Sequence, residues 1–257
     1  LKYRDEQRPR YGLIIVREFS MKDAYSFDIN DSECDKSYQK MKQAYNNIFN
    51  RLKLNYRTVI ADTGTMGGKL SEEFQALSNI GEDQLVICDN CGYSSNIEVS
   101  ECLNKEEIKE ELKEKELIYT PNIKTIEDLE KSLNISKENT VKTLIYKVDD
   151  DFVACLLEGN RELNELKLKK LLNAKEVSLA GEEDVERITN SKVGFAGPIN
   201  LNIPIVIDND VLMMKNFLVG ANKTDYHYKN VNIKDFNYKI KGDIKNVLEN
   251  DLCIKCH

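Results

Sequence analysis

The sequence predicts an α+β protein, and three features carry that reading. One long amphipathic helix lies among short β-rich runs in the first hundred residues. A run of alternating strands and helices of domain size follows from residue 118 onward. Between the two lies NKEEIKEELKEKE (104–116), a stretch too charged to belong to either core. The expected organisation is therefore a first region at 1–117, a second domain at 118–236 and a return segment at 237–257.

The elements follow in order. Tyr38, Met41, Tyr45, Ile48 and Leu52 recur at helical spacing and predict one apolar face over about four turns. Residues 56–61 and 84–88 read as short strands, separated by the glycine-rich stretch GTMGGKLSEEF (64–74) leading to Phe74 and Leu77. Residues 104–116 offer only Ile108 and Leu112 as an apolar stripe, and read as a solvated helix or linker at a domain boundary. Thr125 with Asp128 three residues later resembles a capping box before Leu129 and Leu133. TVKTLIYKV (140–148) and FVACLL (152–157) read as two strands joined at Asp149-Asp150-Asp151. A helix over 162–172 and strands near Val177 and over 203–207 complete the second domain. After Asp235 the chain is expected to return to polar turns.

Composition narrows the function classes. A net charge of −7 argues against a protein that coats nucleic acid by bulk electrostatics, while leaving room for a local basic site. No apolar stretch approaches the ~20 residues of a membrane span. The chain opens on Leu1-Lys2-Tyr3, without Met or a signal-peptide core, and reads as an internal fragment of a cytosolic protein.

Two clusters of chemistry stand out from the residues themselves. RDEQRPRYGLIIVREF (4–19) suits an antiparallel hairpin that grips a nucleotide. Arg4 would face a phosphate with its fork of donors, Glu6 would accept from an adenine amino group, and Phe19 would stack on the ring. An ordinary charged hairpin is the alternative reading of the same residues. The second cluster is Cys88-x-x-Cys91 with Cys253-x-x-Cys256, two pairs spaced like zinc knuckles. A structural Zn²⁺ requires the intervening insert to leave and rejoin the core at neighbouring points; four reduced thiols are the alternative. A haem reading of CIKCH requires export, for which there is no signal.

RDEQRPRYGLIIVREFSMKDAYSFD resembles motif 2 of a class II aminoacyl-tRNA synthetase, and more narrowly that of the bacterial-type prolyl-tRNA synthetase family. GTMGGKLSEEF, CDNCGYSSNIE (88–98) and DLCIKC (251–256) match the same family's core in the same order. The resemblance implies a partial class II antiparallel-sheet core carrying an inserted α/β editing domain of the YbaK-like deacylase type. It implies ATP-dependent charging of proline tRNA with Mg²⁺, with Arg4, Glu6 and Arg17 as ATP contacts and Phe19 as the adenine platform. Proline, ATP and the acceptor end of proline tRNA are the implied partners, in a cytoplasmic homodimer.

For the inserted domain, the resemblance implies hydrolysis of alanine wrongly attached to proline tRNA. Lys142 in TVKTL, Gly194, Gly197 and Pro198 in the GFAGP loop, Asp208 in VIDNDV and His227 in GANKTDYH are the implied site residues. Their types fit: a lysine holds a phosphate as a point charge, and a glycine-rich turn presents N–H groups to a developing oxyanion. Two positions depart from the family pattern, Ile15 where an Arg is usual and Glu72 where a His is usual. Nothing resembling motif 1, motif 3 or an anticodon-binding domain is present, so this chain alone is not expected to activate proline. Those departures motivate an alternative, a catalytically inactive tRNA-binding or regulatory relative.

Overall fold

Pairing of Lys2–Tyr3 (β1) with Glu18–Phe19 (β2) closes the arginine-rich stretch into an antiparallel hairpin, Lys2 opposite Phe19 and Tyr3 opposite Glu18. In this computed structural model, residues 1–64, 67–68 and 70–257 are described. Thr65, Met66 and Lys69 of the glycine-rich stretch lie outside the described residues. The chain divides into two compact units, Leu1–Tyr56 and Arg57–His257.

The first unit holds the hairpin and a 21-residue helix, Asp31–Arg51 (α1). Asn30 caps it by accepting from the Glu33 amide at 3.0 Å, which satisfies one of the orphan donors of the first turn. The predicted apolar stripe is present but none of its residues is buried, with Met41 and Ile48 at 37% and 47% exposure.

Tyr56–Ile60 (β3), whose first residue closes the first unit, Glu72–Ala76 (β4), Leu85–Ile87 (β5) and Ser94–Asn96 (β6) form a four-stranded sheet in the order β4-β3-β6-β5. It is not wholly antiparallel, because β3 and β6 run parallel while β5 and β6 run antiparallel.

Residues 104–115 form no helix. They carry no regular secondary structure, and other parts of the second unit take their backbone donors: Lys105 N–H donates to Asp210, Ile108 N–H to the Met213 carbonyl and Lys113 N–H to Asn216, at 2.8–3.0 Å. Glu116–Tyr119 (β7) then joins an antiparallel sheet with Phe217–Gly220 (β12) and Tyr226–Val231 (β13), in the order β12-β13-β7.

A five-stranded mixed sheet forms the centre of the unit. Val177–Leu179 (β10), Val141–Val148 (β8), Asp151–Glu158 (β9), Ile205–Asp208 (β11) and Ile240–Gly242 (β14) lie in that order. The run FVACLL is apolar throughout because β9 is buried on both faces. Ala154 and Leu156 pack in one core with Ile205, Ile207, Phe217 and Val219; Cys155 and Leu157 pack in another with Val206, Leu168 and Ile244. The strand β14 comes from a segment expected to hold only turns.

Three short helices flank this sheet: Ile126–Leu133 (α2), Glu165–Leu172 (α3) and Glu182–Thr189 (α4). Thr125 caps α2 as the sequence predicts, accepting from the Asp128 amide at 3.1 Å. The helix α4 has only Val185 and Thr189 buried, which left its apolar signal too weak to read from the sequence.

Candidate functional site

A cavity of about 440 Å³ opens in the second unit between β8, the start of α2, the 193–196 loop and the β12–β13 pair. Val141, Ile145, Leu218 and Val219 make part of its wall apolar, while Lys142, Gly194 and His227 bring in polar chemistry.

His227 is 1% exposed. Its Nδ1 lies 2.6 Å from the hydroxyl of Thr120, and its ring packs against Phe195 with centroids 5.5 Å apart. Burial pushes its pKa down to about 4, with the Gly194 backbone acting the other way. The ring is therefore neutral at pH 7.

The GFAGP loop is shaped by close backbone approach. Gly194 has φ +98°, and a Cβ there would meet the Lys124 carbonyl at 2.7 Å. A Cβ on Gly197 would lie 1.7 Å from the Gly220 carbonyl oxygen, so β12 and the loop touch glycine on glycine. Gly194 and Ala196 line the cavity, whereas Gly197 and Pro198 are buried behind it. The Gly197 amide is already used: it donates to Asn222 Oδ1 at 2.8 Å. Asn222 Nδ2 in turn donates to the Gly197 and Ile199 carbonyls, both at 2.9 Å. Among the described residues no hydrogen bond engages the amides of Gly194 or Ala196. Of these three amides, only Gly197's has a hydrogen-bond partner, among the described residues.

Lys142 borders the cavity; it pairs with Leu157 of β9 on one edge of β8, while on the other edge β10 reaches only residues 146–148. Its Nζ pairs with the Glu162 carboxylate at 3.2 Å, and Glu162 itself is 76% exposed. Such a pair is weakly held and can be exchanged for a ligand phosphate.

Asp208 is not brought to this cavity. It is 1% exposed, and its carboxylate accepts from the amides of Asp210 and Ile244 at 3.0 and 2.9 Å, with Lys245 Nζ at 3.5 Å. Burial pushes its carboxyl above the usual range against the pull of Lys245. Lys245 also meets Asp210 at 3.1 Å, and Arg161 binds Asp251 through two bonds of 2.5 and 2.7 Å. Asp208 therefore belongs to a buried ionic cluster that ties β11 to the segment after β14.

Two positions that the sequence reading missed hold parts of the cavity from outside its lining, Thr120 on His227 and Asn222 on the GFAGP loop. Each acts on a partner distant in sequence, and Asn222 has a left-handed φ of +51° that asparagine tolerates.

The four knuckle cysteines converge. Their sulfurs all lie within 4.8 Å of one another, with Cys88–Cys256 at 3.6 Å and Cys91–Cys253 at 3.7 Å. A tetrahedral site with Zn–S bonds of about 2.3 Å has S–S edges of about 3.8 Å, so the donor set fits Zn²⁺. Amides of Cys91 and Asn90 pull the Cys88 thiol down to about 6, while contact with Cys88 and Cys91 pushes the Cys256 thiol up to about 12.

In the first unit, the hairpin gathers its four predicted residues. Arg17 Nε donates to the Glu6 carbonyl at 2.9 Å, and the Arg4 amide donates to the Arg17 carbonyl at 2.9 Å. The Arg4 guanidinium sits 5.2 Å from the centroid of Phe19, over the ring that the resemblance assigns to adenine.

Comparison with known proteins shows what each part of the chain resembles. Residues 1–122 match the tRNA synthetase class II core domain (G, H, P, S and T), and residues 120–236 match the aminoacyl-tRNA editing domain. A proline--tRNA ligase of Caldicellulosiruptor bescii is 55% identical over 256 residues, covering 99% of this chain and 45% of that protein. Over almost its whole length the chain is similar to proline--tRNA ligases. Another proline--tRNA ligase, from Thermoanaerobacter sp. strain X514, is 52% identical over 260 residues, covering 99% of this chain and 46% of its own length. The chain thus spans about half the length of the ligases it matches. A solved structure described as a putative trans-editing enzyme for prolyl tRNA synthetase is 18% identical, with a TM-score of 0.46 over 52% of this chain and 87% of its own. Among the described residues no helix is long and apolar enough to cross a membrane.

Proposed function

We propose that the domain at 118–236 hydrolyses the ester of alanine wrongly attached to proline tRNA, using the cavity walled by β8, β12 and the GFAGP loop. The observation that carries this reading is one cavity lined by Gly194 and Ala196, whose amides have no partner among the described residues, and by a buried, neutral His227.

Water adds to the ester carbonyl, and the electron pair moves onto the carbonyl oxygen beside the Gly194 and Ala196 N–H groups. Collapse of the tetrahedral intermediate breaks the bond to the ribose oxygen, which leaves with the proton the water gave up. Because His227 is neutral and held by Thr120, its role is to orient the terminal ribose or the water, with the substrate's own hydroxyl shuttling the proton. Lys142 exchanges Glu162 for a phosphate of the tRNA end. Alanine fits against the apolar wall, whereas the proline ring overpacks it, a sharper sieve than rejecting something smaller. Gly197 and Pro198 shape the loop, and Asp208 supports the domain from its ionic cluster.

In the longer protein, the segment at 1–117 takes part in ATP-dependent charging of proline tRNA. Arg4, Glu6, Arg17 and Phe19 would hold the nucleotide there, and ATP with Mg²⁺ supplies the activation of the proline carboxylate. The segment at 237–257 returns to that core. Cys88, Cys91, Cys253 and Cys256 hold a structural Zn²⁺, the full-length protein pairs as a homodimer, and it works in the cytoplasm with its tRNA. The names of the relatives favour this reading over a catalytically inactive tRNA-binding or regulatory protein.

Lys142→Ala tests the assignment. Deacylation of Ala-tRNA(Pro) is expected to show a raised KM from the lost phosphate contact. Wild-type kinetics in that variant would remove Lys142 from the site.

A further inference from the structure

Beside the cavity, the strand register builds a second feature that the ester chemistry does not use. β7 ends at Tyr119 and β13 begins at Tyr226, and these two residues are direct cross-strand partners. Their rings stack at a tilt, centroids 5.2 Å apart, and Tyr119 remains 64% exposed. Lys223 Nζ lies 3.8 Å from the centroid of the Tyr226 ring. An exposed tyrosine against a half-buried one that carries a cation is an unusual surface for a chain of net charge −7.

We propose that Tyr119, Tyr226 and Lys223 form a stacking platform for the unpaired bases at the 3′ end of an aminoacylated RNA whose ester occupies the cavity. The proposal rests on the deacylase reading for what enters the cavity, and its occupant follows from three observations.

The platform adjoins the cavity through the backbone. Tyr119 precedes Thr120, and Tyr226 precedes His227, the two residues joined by the 2.6 Å contact. Alternation along each strand places the tyrosines on the opposite face from that pair, and both strands terminate here. A chain leaving the cavity therefore has only the end of the sheet to cross.

The charge is right for a phosphodiester. Exposed Lys223 and Lys124 flank this end, Lys124 at the cavity itself, and among the described residues neither is paired with a carboxylate. The nearby acid, Asp225, is occupied, since its carboxylate accepts from the Asn122 amide at 2.9 Å.

The chemistry of stacked aromatics with a cation matches single-stranded nucleic acid, whose bases stack without sequence preference. The free edge of β7 would let a peptide pair through its backbone, but that pairing makes no use of the Tyr119–Tyr226 rings or the Lys223 cation.

Tyr119→Ala is the variant of choice, because the side chain is mostly exposed and its loss leaves the core intact. Two substrates are compared in the whole chain: Ala-tRNA(Pro), and the alanyl ester of adenosine alone, which lacks the preceding bases. The expected result is a KM about tenfold higher for Ala-tRNA(Pro), with kcat unchanged and no change for the alanyl-adenosine ester. Equal KM values for wild type and variant on Ala-tRNA(Pro) would overturn the platform, as would an equal loss on both substrates. If the wild type cleaves neither substrate, the deacylase reading fails by itself. Binding of a fluorescent single-stranded RNA ending in CCA then decides the platform separately: about tenfold weaker binding by the variant supports it, and unchanged binding refutes it.

Discussion

Replacing Asn222 with alanine removes the device that holds the GFAGP loop against β12. Three side-chain hydrogen bonds disappear, one accepted from the Gly197 amide at 2.8 Å and two donated to Gly197 and Ile199 carbonyls at 2.9 Å. At about 1 kcal/mol each, with a further ~1 kcal/mol for alanine at a left-handed φ of +51°, the loss is about 4 kcal/mol if the loop stays in place. Relaxation of the loop lowers that figure and instead misplaces the Gly194 and Ala196 amides. Asn222→Gly separates the two contributions, since glycine keeps the backbone conformation and loses only the hydrogen bonds. Urea denaturation of both variants, beside deacylation of Ala-tRNA(Pro), gives the readout. The expected outcome is a loss of about 3 kcal/mol or more for alanine, a smaller loss for glycine, and kcat reduced in both. An Asn222→Ala variant within ~0.5 kcal/mol of wild type and with unchanged kcat would refute the reasoning.

Two other perturbations follow from the same geometry. His227 has a folded pKa of about 4, below its ordinary 6.5, so burying it neutral contributes stability fully present above pH 6.5 and lost as pH falls toward 4. The pH dependence of the denaturation midpoint should show about 2–3 kcal/mol of this loss, and His227→Gln should flatten that part of the profile. At the knuckles, purified protein should bind one Zn²⁺ per chain, and chelation should lower its thermal midpoint; a stoichiometry near zero would leave four free thiols.

Much of this architecture is readable in the sequence because the signals are local. Thr125 and Asp128 announce α2 within four residues, and the triple aspartate at 149–151 separates two runs that pair as β8 and β9. The cysteine pairs are legible by spacing alone, although their meeting depends on how the insert returns. What the sequence hides is what depends on distant partners. Residues 104–115 have a helical composition, yet Asp210, Met213 and Asn216 take their backbone donors. Asp208 carries the charge expected of a site residue and spends it on Lys245 and two amides. Thr120 and Asn222 show no motif of their own, because each acts through a residue elsewhere in the chain. Isolated α1 shows the converse: its apolar stripe is plain in the sequence, and none of it is buried in the first unit.

The central claim is that the cavity accepts alanine and rejects proline on the same tRNA. Single-turnover deacylation by this chain of Ala-tRNA(Pro) beside Pro-tRNA(Pro) measures it directly. The account predicts rapid release of alanine, with proline released about 100-fold more slowly or not at all. Equal rates for the two esters, or no hydrolysis of either above the rate in buffer, would contradict it.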